Sequence, residues 1–315
     1  MAIGPTFDPR ATTIPVLRYL VAVADHGNFG RAARACSVAQ PTLSAQIAQW
    51  ERRMGVHVFE RTNAGVRLTT AGERIVVQAR DALAALQRVE ESASSGKPPF
   101  FGPVRLGVIP TIGAYALPSI APAIEAAFPD LELPIQEAQT DALLVLLDAG
   151  RLDVALVAVL PGMDTGRVVD ELYEEQFLVA VPRKHPLAAR DRIGHEDLAH
   201  ERLLLLDEGH CLRDQALELC RMRDGAHRSG ADYRATSLET LRQMVAVGIG
   251  CTVLPALAVD YGGPDERIAI RPLAMRGSSR TVALVWRASD GRGAAYRQLS
   301  ATIRRAIPKE RLRAR

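Results

Sequence analysis

The sequence predicts an α/β chain with a helical N-terminal domain, a long linker helix and a C-terminal half made of two α/β subdomains. Three observations carry this. Residues 14–71 pattern as three short helices and a basic hairpin; residues 72–93 place apolar side chains at alternating steps of four and three; from residue 100 onward, apolar strand-like runs alternate with helical patterns. With 315 residues, 48% of them hydrophobic, the chain is long enough to bury two or three separate cores.

The first segment is the most explicit. Apolar residues recur at helical spacing from Val16 to Ala24, and His26-Gly27-Asn28 interrupts them. A short helix over Phe29 to Ala35 and a turn around Cys36 to Ala39 follow, and a third helix begins at Pro41. Leu43, Ile47 and Trp50 would point inward. That leaves Gln40, Pro41, Thr42, Ser44 and Gln46 near the outer face, where short polar and amide side chains can read base edges in a major groove. Residues Val58 to Thr69 read as a hairpin turning at Asn63 to Gly65, with Arg61 and Arg67 placed to lie on phosphates. The whole is a winged helix-turn-helix over residues 14–71, preceded by a tail of residues 1–13.

Charge supports a double-stranded DNA partner. Residues 14–71 hold seven arginines against Asp25, Glu51 and Glu60, and residues 301–315 hold six basic residues against Glu310. The net charge of +3 is therefore concentrated at the two ends, and a basic first domain suits a phosphate backbone. No apolar run approaches the ~20 residues that span a bilayer, and residues 1–13 contain no apolar signal core, so a cytoplasmic protein with no membrane partner is expected.

In the linker, Ile75, Ala79, Ala82, Leu86, Val89 and Ala93 form a heptad stripe, which asks for a partner helix and so for a dimer. Residues 94–99, Ser-Ser-Gly-Lys-Pro-Pro, read as a hinge. Beyond it, strands are expected at 104–109, 131–136, 154–159, 177–181, 203–206, 252–254 and 282–286, joined by crossover helices into parallel sheets. Return of the chain around 282–286 divides residues 100–315 into subdomain I (about 100–174 and 277–308) and subdomain II (about 175–276), with a cleft between them.

Four cysteines (36, 211, 220 and 251) show no C-x-x-C spacing, which argues against a secreted disulfide scaffold and a structural zinc site; no metal or cofactor is expected. Cys36 and Cys251 read as buried apolar positions. Cys211 and Cys220 differ, because the stretch Gly209-His210-Cys211-Leu212-Arg213-Asp214 is polar and Cys211 falls where a helix would begin. Unpaired backbone N–H groups, His210 and Arg213 would then favour a thiolate. Nine residues of helix separate the two thiols by roughly 13 Å, whereas a disulfide needs Cα atoms within about 4.4–6.8 Å, so joining them would unwind part of that helix. The alternative is a pair of inert buried thiols.

The N-terminal motifs resemble those of the LysR-type transcriptional regulators: Phe29-Gly30-Arg31-Ala32-Ala33, Gln40-Pro41-Thr42-Leu43-Ser44-Ala45-Gln46-Ile47, Glu51, Gly55, Phe59-Glu60-Arg61-Thr62 and Leu68-Thr69-x-Ala71-Gly72. Ala39 departs from the serine often found there. The C-terminal half is similar to regulatory domains of the same family, and more narrowly to its peroxide-sensing members, through Ile109-Pro110-Thr111, Glu137-Ala138-Gln139-Thr140, residues 209–216 with Cys220, residues 235–242 and residues 254–259. The resemblance implies a periplasmic-binding-protein-like regulatory domain. It implies that Cys211 is the peroxide-reactive thiol and Cys220 the resolving one, and that Thr111, Thr140, His210, Asp214 and Arg280 form the peroxide pocket. It also implies a non-enzymatic homo-oligomer, dimer or tetramer, that meets promoter DNA and RNA polymerase. Two other readings stay open: a family member answering a small organic effector in the cleft, and a thiol peroxidase that turns over.

Overall fold

The computed structural model describes residues 12–62, 65–92, 100, 102–219, 234–261, 265–275, 277–309 and 312. Cys220, the turn residues Asn63 and Ala64, Ala93 and the 94–99 hinge lie outside the described residues. The chain divides into two compact units, one built on residues 1–97 and the other on most of residues 98–315.

In the first unit, α1 (Ile14–His26), α2 (Phe29–Ala35) and α3 (Gln40–Met54) precede an antiparallel hairpin of β1 (Phe59–Thr62) and β2 (Gly65–Leu68), and α4 (Thr70–Ser92) closes it. Local chemistry sets the breaks. Gly27 ends α1 in the left-handed region at φ 57°, and the Asn28 side chain caps α2 by accepting from the Gly30 and Arg31 amides. Ser37, at φ 55°, turns the chain from α2 into α3. Glu51 reaches from α3 to accept from the Val58 and Phe59 amides (2.7 and 3.3 Å), and so fixes where the hairpin starts. Leu20, Val23, Ala32, Leu43, Ile47, Trp50 and Val58 form the core.

The linker helix departs from the heptad expectation in a definite way. Val76 is buried in the first unit's own core, Ile75 packs against it and Ala79 is buried as well, so the first turns of α4 complete that unit. Ala82 and Leu86 are half-buried, and Val89 is 67% exposed. An apolar surface free to meet a second helix begins only in the later turns.

The second unit contains β3 (Leu106–Val108), α5 (Pro110–Ala127), β4 (Ile135–Glu137), α6 (Thr140–Asp148), β5 (Val154–Ala158), β6 (Arg167–Pro182), α7 (His195–Leu198), β7 (Leu205–Leu206), α8 (Cys211–Leu219), β8 (Arg234–Ala235), α9 (Leu238–Ala246), β9 (Thr252–Pro255), α10 (Ala256–Tyr261), β10 (Ile268–Pro272), β11 (Ser279–Arg287) and α11 (Gly293–Ala306). Strand order in the main sheet is β10-β6-β11-β5-β3-β4, with β9 also on β6. The expected all-parallel sheets are corrected here. β3 pairs in parallel with β4 and β5, but β11, β6, β9 and β10 pair antiparallel, because β6 and β11 carry the chain out to the second subdomain and back. The 16-residue β6 crosses both cores. Leu172 lies in the first core, with Trp286 and Tyr296; Phe177 and Val179 lie in the second, with Leu205 and Val245.

Among the described residues, no helix is long and apolar enough to cross a membrane, and no group of three or more His, Cys, Asp or Glu residues is placed to hold a metal ion.

Candidate functional site

Two sets of residues stand out, one in each unit. On α3, Gln40, Pro41 and Thr42 are exposed and Ser44 and Gln46 half-buried, while Leu43, Ile47 and Trp50 face the core. The polar start of this helix is therefore presented outward, as the spacing predicted. The α3 N-cap, Ala39, makes no side-chain capping bond. Arg67 is exposed on β2, across from Glu60, and Arg61 on β1 pairs in register with Val66.

The second set gathers where three helices begin. The parallel strands β3 and β4 run straight into α5 and α6, which places Thr111 in the first turn of α5 and Thr140 at the first residue of α6. Cys211 opens α8. Its side chain belongs to the first core, whereas the next residue, Leu212, belongs to the second. The thiol thus sits at the junction of the two subdomains, beside helix N-termini whose dipoles favour negative charge.

Arg280 organises this junction. It is 3% exposed, and Glu175, which lies directly across from it in the β11–β6 register, is fully buried. Arg280 Nε and Nη2 meet Glu175 Oε2 at 2.9 and 2.8 Å, and Glu175 Oε1 accepts from the Leu257 amide at 2.9 Å. Nη1 and Nη2 also donate to Thr111, at its hydroxyl and its carbonyl oxygen respectively, both at 2.9 Å. Burial opposes the charge on Arg280, yet Glu175 and, after it, Cys211 and Tyr173 hold the guanidinium pKa above its ordinary value.

Burial pushes the Cys211 thiol up. Arg280 pulls it back most, then the Thr140 hydroxyl and the Leu212 amide, while Asp214 adds to the rise. The expectation of a depressed pKa at a helix start is therefore corrected in sign, because removal from water outweighs the donors. The Thr140 hydroxyl is buried with no other hydrogen-bond partner among the described residues, and it is placed to donate to a thiolate.

The other predicted neighbours divide. His210 is buried, and loss of water holds its imidazole below the usual histidine range, with Asp207 pulling the other way. Asp214 is exposed but close enough for its charge to reach the sulfur. Arg213, expected to add a donor beside the thiol, turns inward, buried, and gives Nη1 to the Leu206 carbonyl at 3.2 Å. Gly209 precedes the site at φ 87°, and a Cβ there would collide with the Gln139 amide, whose Nε2 donates to the Glu208 carbonyl at 2.9 Å. Cys251 is buried as expected. Cys36 is only half-buried, which corrects its reading as a core position.

Sequence reasoning missed Glu175 and Tyr173. The run Glu174-Glu175-Gln176 looked like an interruption between strands, but strand alternation continued through it buries Leu172, Glu175 and Phe177 with a single shift. A carboxylate inside that alternation was the available signal for a buried cation.

Comparison with known proteins places these features in a family. Residues 15–73 match the bacterial regulatory helix-turn-helix protein, lysR family, and residues 99–308 match the LysR substrate binding domain. The chain is similar to the hydrogen peroxide-inducible genes activator of Pectobacterium carotovorum, 44% identical over 91% of this chain and 94% of that protein. Among solved structures it is similar to a full-length, cysteine-substituted OxyR from Pseudomonas aeruginosa, with 40% identity, a TM-score of 0.82 and coverage of 93% of this chain and 97% of that one. A peroxide-bound OxyR mutant of Corynebacterium glutamicum matches with 35% identity and a TM-score of 0.64, covering 97% and 96%.

Proposed function

The chain belongs to the LysR family of bacterial helix-turn-helix regulators, and from that premise we propose that it is a hydrogen-peroxide-sensing transcriptional regulator whose signal enters at Cys211. The observation that carries this reading is the placement of the Cys211 thiol at the subdomain junction, within reach of the Arg280 charge and the otherwise unpartnered Thr140 hydroxyl.

In the chemistry, the Cys211 thiolate attacks one oxygen of hydrogen peroxide and the O–O bond breaks. Sulfur becomes a sulfenic acid, and the departing hydroxide takes a proton and leaves as water. Arg280 and Thr140 steady negative charge on the sulfur and on the oxygen that leaves. A second thiol then attacks the sulfenic sulfur, forming a disulfide and a second water. Cys220 is that thiol on the family resemblance. The residue before it, Leu219, ends α8 about 12 Å along the axis from Cys211, so the bond requires α8 to come apart. Because Cys211 packs in one core and Leu212 in the other, its withdrawal loosens contacts in both.

The remaining parts of the reading follow the same order. Gln40, Pro41, Thr42, Ser44 and Gln46 meet base edges, and Arg61 and Arg67 meet phosphates. The chain works as a homo-oligomer, a dimer or tetramer, through the later turns of α4 and the regulatory domain, so that two half-sites are read together. The divisions at 14–71, 72–99 and 100–315, a cytoplasmic location, and activation through contact with RNA polymerase belong to this proposal.

Cys211→Ser tests it. The variant is expected to bind promoter DNA and to give one footprint with and without peroxide, while the parent chain gives two. A peroxide-dependent footprint in the variant overturns the reading and turns attention to an organic effector.

A further inference from the structure

Beside the ion pair that faces the thiol lies a phenol that the chemistry above does not use. Tyr173 stands two residues before Glu175 on β6, so both project from the same face, with Cβ atoms on the order of 7 Å apart. In the register with β11, Tyr173 opposes Val282 and Glu175 opposes Arg280. Tyr173, Glu175, Arg280 and Val282 therefore form a two-by-two block on one face of the sheet, with Tyr173 diagonal to Arg280. Tyr173 is among the residues lining a surface groove with Arg304 and Arg305, but its hydroxyl is buried and has no hydrogen-bond partner among the described residues. Buried hydroxyls without partners are uncommon and costly, so one kept beside a buried ion pair asks for a reason.

We propose that Tyr173 is a positioning residue for the peroxide reaction, its phenol O–H acting on the Glu175–Arg280 pair and thereby setting how much of the Arg280 charge reaches the Cys211 sulfur. The hydroxyl is a rotor, donor and acceptor in one. Burial first, and Glu175 second, push its pKa upward against the pull of Arg280, so the proton stays on the oxygen at every physiological pH. A proton held toward the Glu175 carboxylate draws on the charge that otherwise cancels the guanidinium. More of the positive charge is then left for a thiolate. The other groups facing that sulfur are Thr140 from α6 and Asp214 with the Leu212 amide from α8, whereas Glu175 and Arg280 are the charged groups that act on the Tyr173 phenol, so the proposed route runs through the pair.

The inference rests on Cys211 being the reacting thiol, and its test does not need peroxide. In the full-length chain, the pH profile of iodoacetamide alkylation is followed at the Cys211 peptide by mass spectrometry. Tyr173→Phe keeps the ring and removes only the oxygen. It is expected to move the midpoint of the profile up by about half a pH unit, and to slow alkylation at pH 7 by about threefold. The melting temperature stays level or rises, since an unpartnered buried oxygen is gone. A second variant fixes the route: in a Glu175→Gln background, Tyr173→Phe is expected to add no further shift. A profile superimposable on the parent's overturns the proposal, as does a lowered melting temperature with an unmoved midpoint, or an equal shift in the Glu175→Gln background. If peroxide leaves the parent's Cys211 untouched, the sensor reading fails while the alkylation profile still judges Tyr173.

Discussion

Cys211 and Cys251 are buried to a similar degree, 8% and 3% exposed, in the two cores of the same regulatory half, yet their surroundings differ in kind. Cys251 lies in backbone pairing: its amide donates to the Arg202 carbonyl, its carbonyl accepts from Leu204, and its thiol points at that same Arg202 carbonyl at 3.5 Å. A carbonyl acceptor favours the protonated thiol. Cys211 opens a helix, its sulfur meets the field of Arg280, and a hydroxyl is free to donate to it. Burial alone therefore does not separate a structural cysteine from a reactive one. What separates them is the sign of the partners on the sulfur.

The sharpest way to break this comparison is to exchange the roles of the two thiols. Cys251→Ser is expected to keep the whole peroxide response and to leave Cys211 as the site of first oxidation, read by mass spectrometry of alkylated peptides after one equivalent of peroxide. A sulfenic or disulfide product at Cys251 in the parent chain, or loss of response on its substitution, would show that the charge beside Cys211 does not decide which thiol reacts.

Next in size is removal of the charge itself. Arg280→Met leaves the Glu175 carboxylate buried without its cation, with the Leu257 amide on one oxygen, and uncompensated charges of this kind cost about 3–5 kcal/mol. Urea unfolding should show that loss, and the Glu175→Gln, Arg280→Met pair should recover most of it. Thiol reactivity at Cys211 should not recover with stability, because the cation that offsets its burial is still missing. Recovery of both would mean that Arg280 acts on the sulfur only through the fold.

These differences also mark what could be read from residues alone. The three N-terminal helices and the hairpin were legible because each break carries its own chemistry, Gly27-Asn28 before α2 and Gly55 after α3. Thr111 and Thr140 were legible through the family resemblance, not from their spacing. The first half of β6 was not, since Asp170, Glu171, Glu174 and Glu175 hide a strand whose paired neighbours supply the burial. Strand β10 was missed for a similar reason: Ile268 to Pro272 is short and ends in Arg271-Pro272, and only pairing with β6 makes it a strand. The sign of the Cys211 shift was misjudged because helix position is local, whereas desolvation comes from the core, built of elements distant in sequence, into which Cys211 packs. Arg213 shows the same limit, since proximity in sequence says nothing of the Leu206 carbonyl it prefers.

His210, next to the reactive thiol, carries the smallest of these effects and the clearest sign. Its imidazole is buried, and loss of water lowers its pKa in the folded chain, the charge of Asp207 opposing this more weakly. The unfolded chain takes up a proton near the ordinary value of about 6.5, while the folded chain resists it until lower pH. Stability from this group is thus complete above about pH 7 and falls as pH drops through that window. Urea midpoints of the parent chain should decline between pH 7.5 and 5.5 by more than those of His210→Gln, which has no proton to take up. Were the Asp207 charge the stronger influence, the order would reverse and the parent would gain on acidification relative to the variant. That outcome would place His210 among the charged donors of the junction, and would make the region around Cys211 more unlike that of Cys251 than burial and the Arg280 charge already make it.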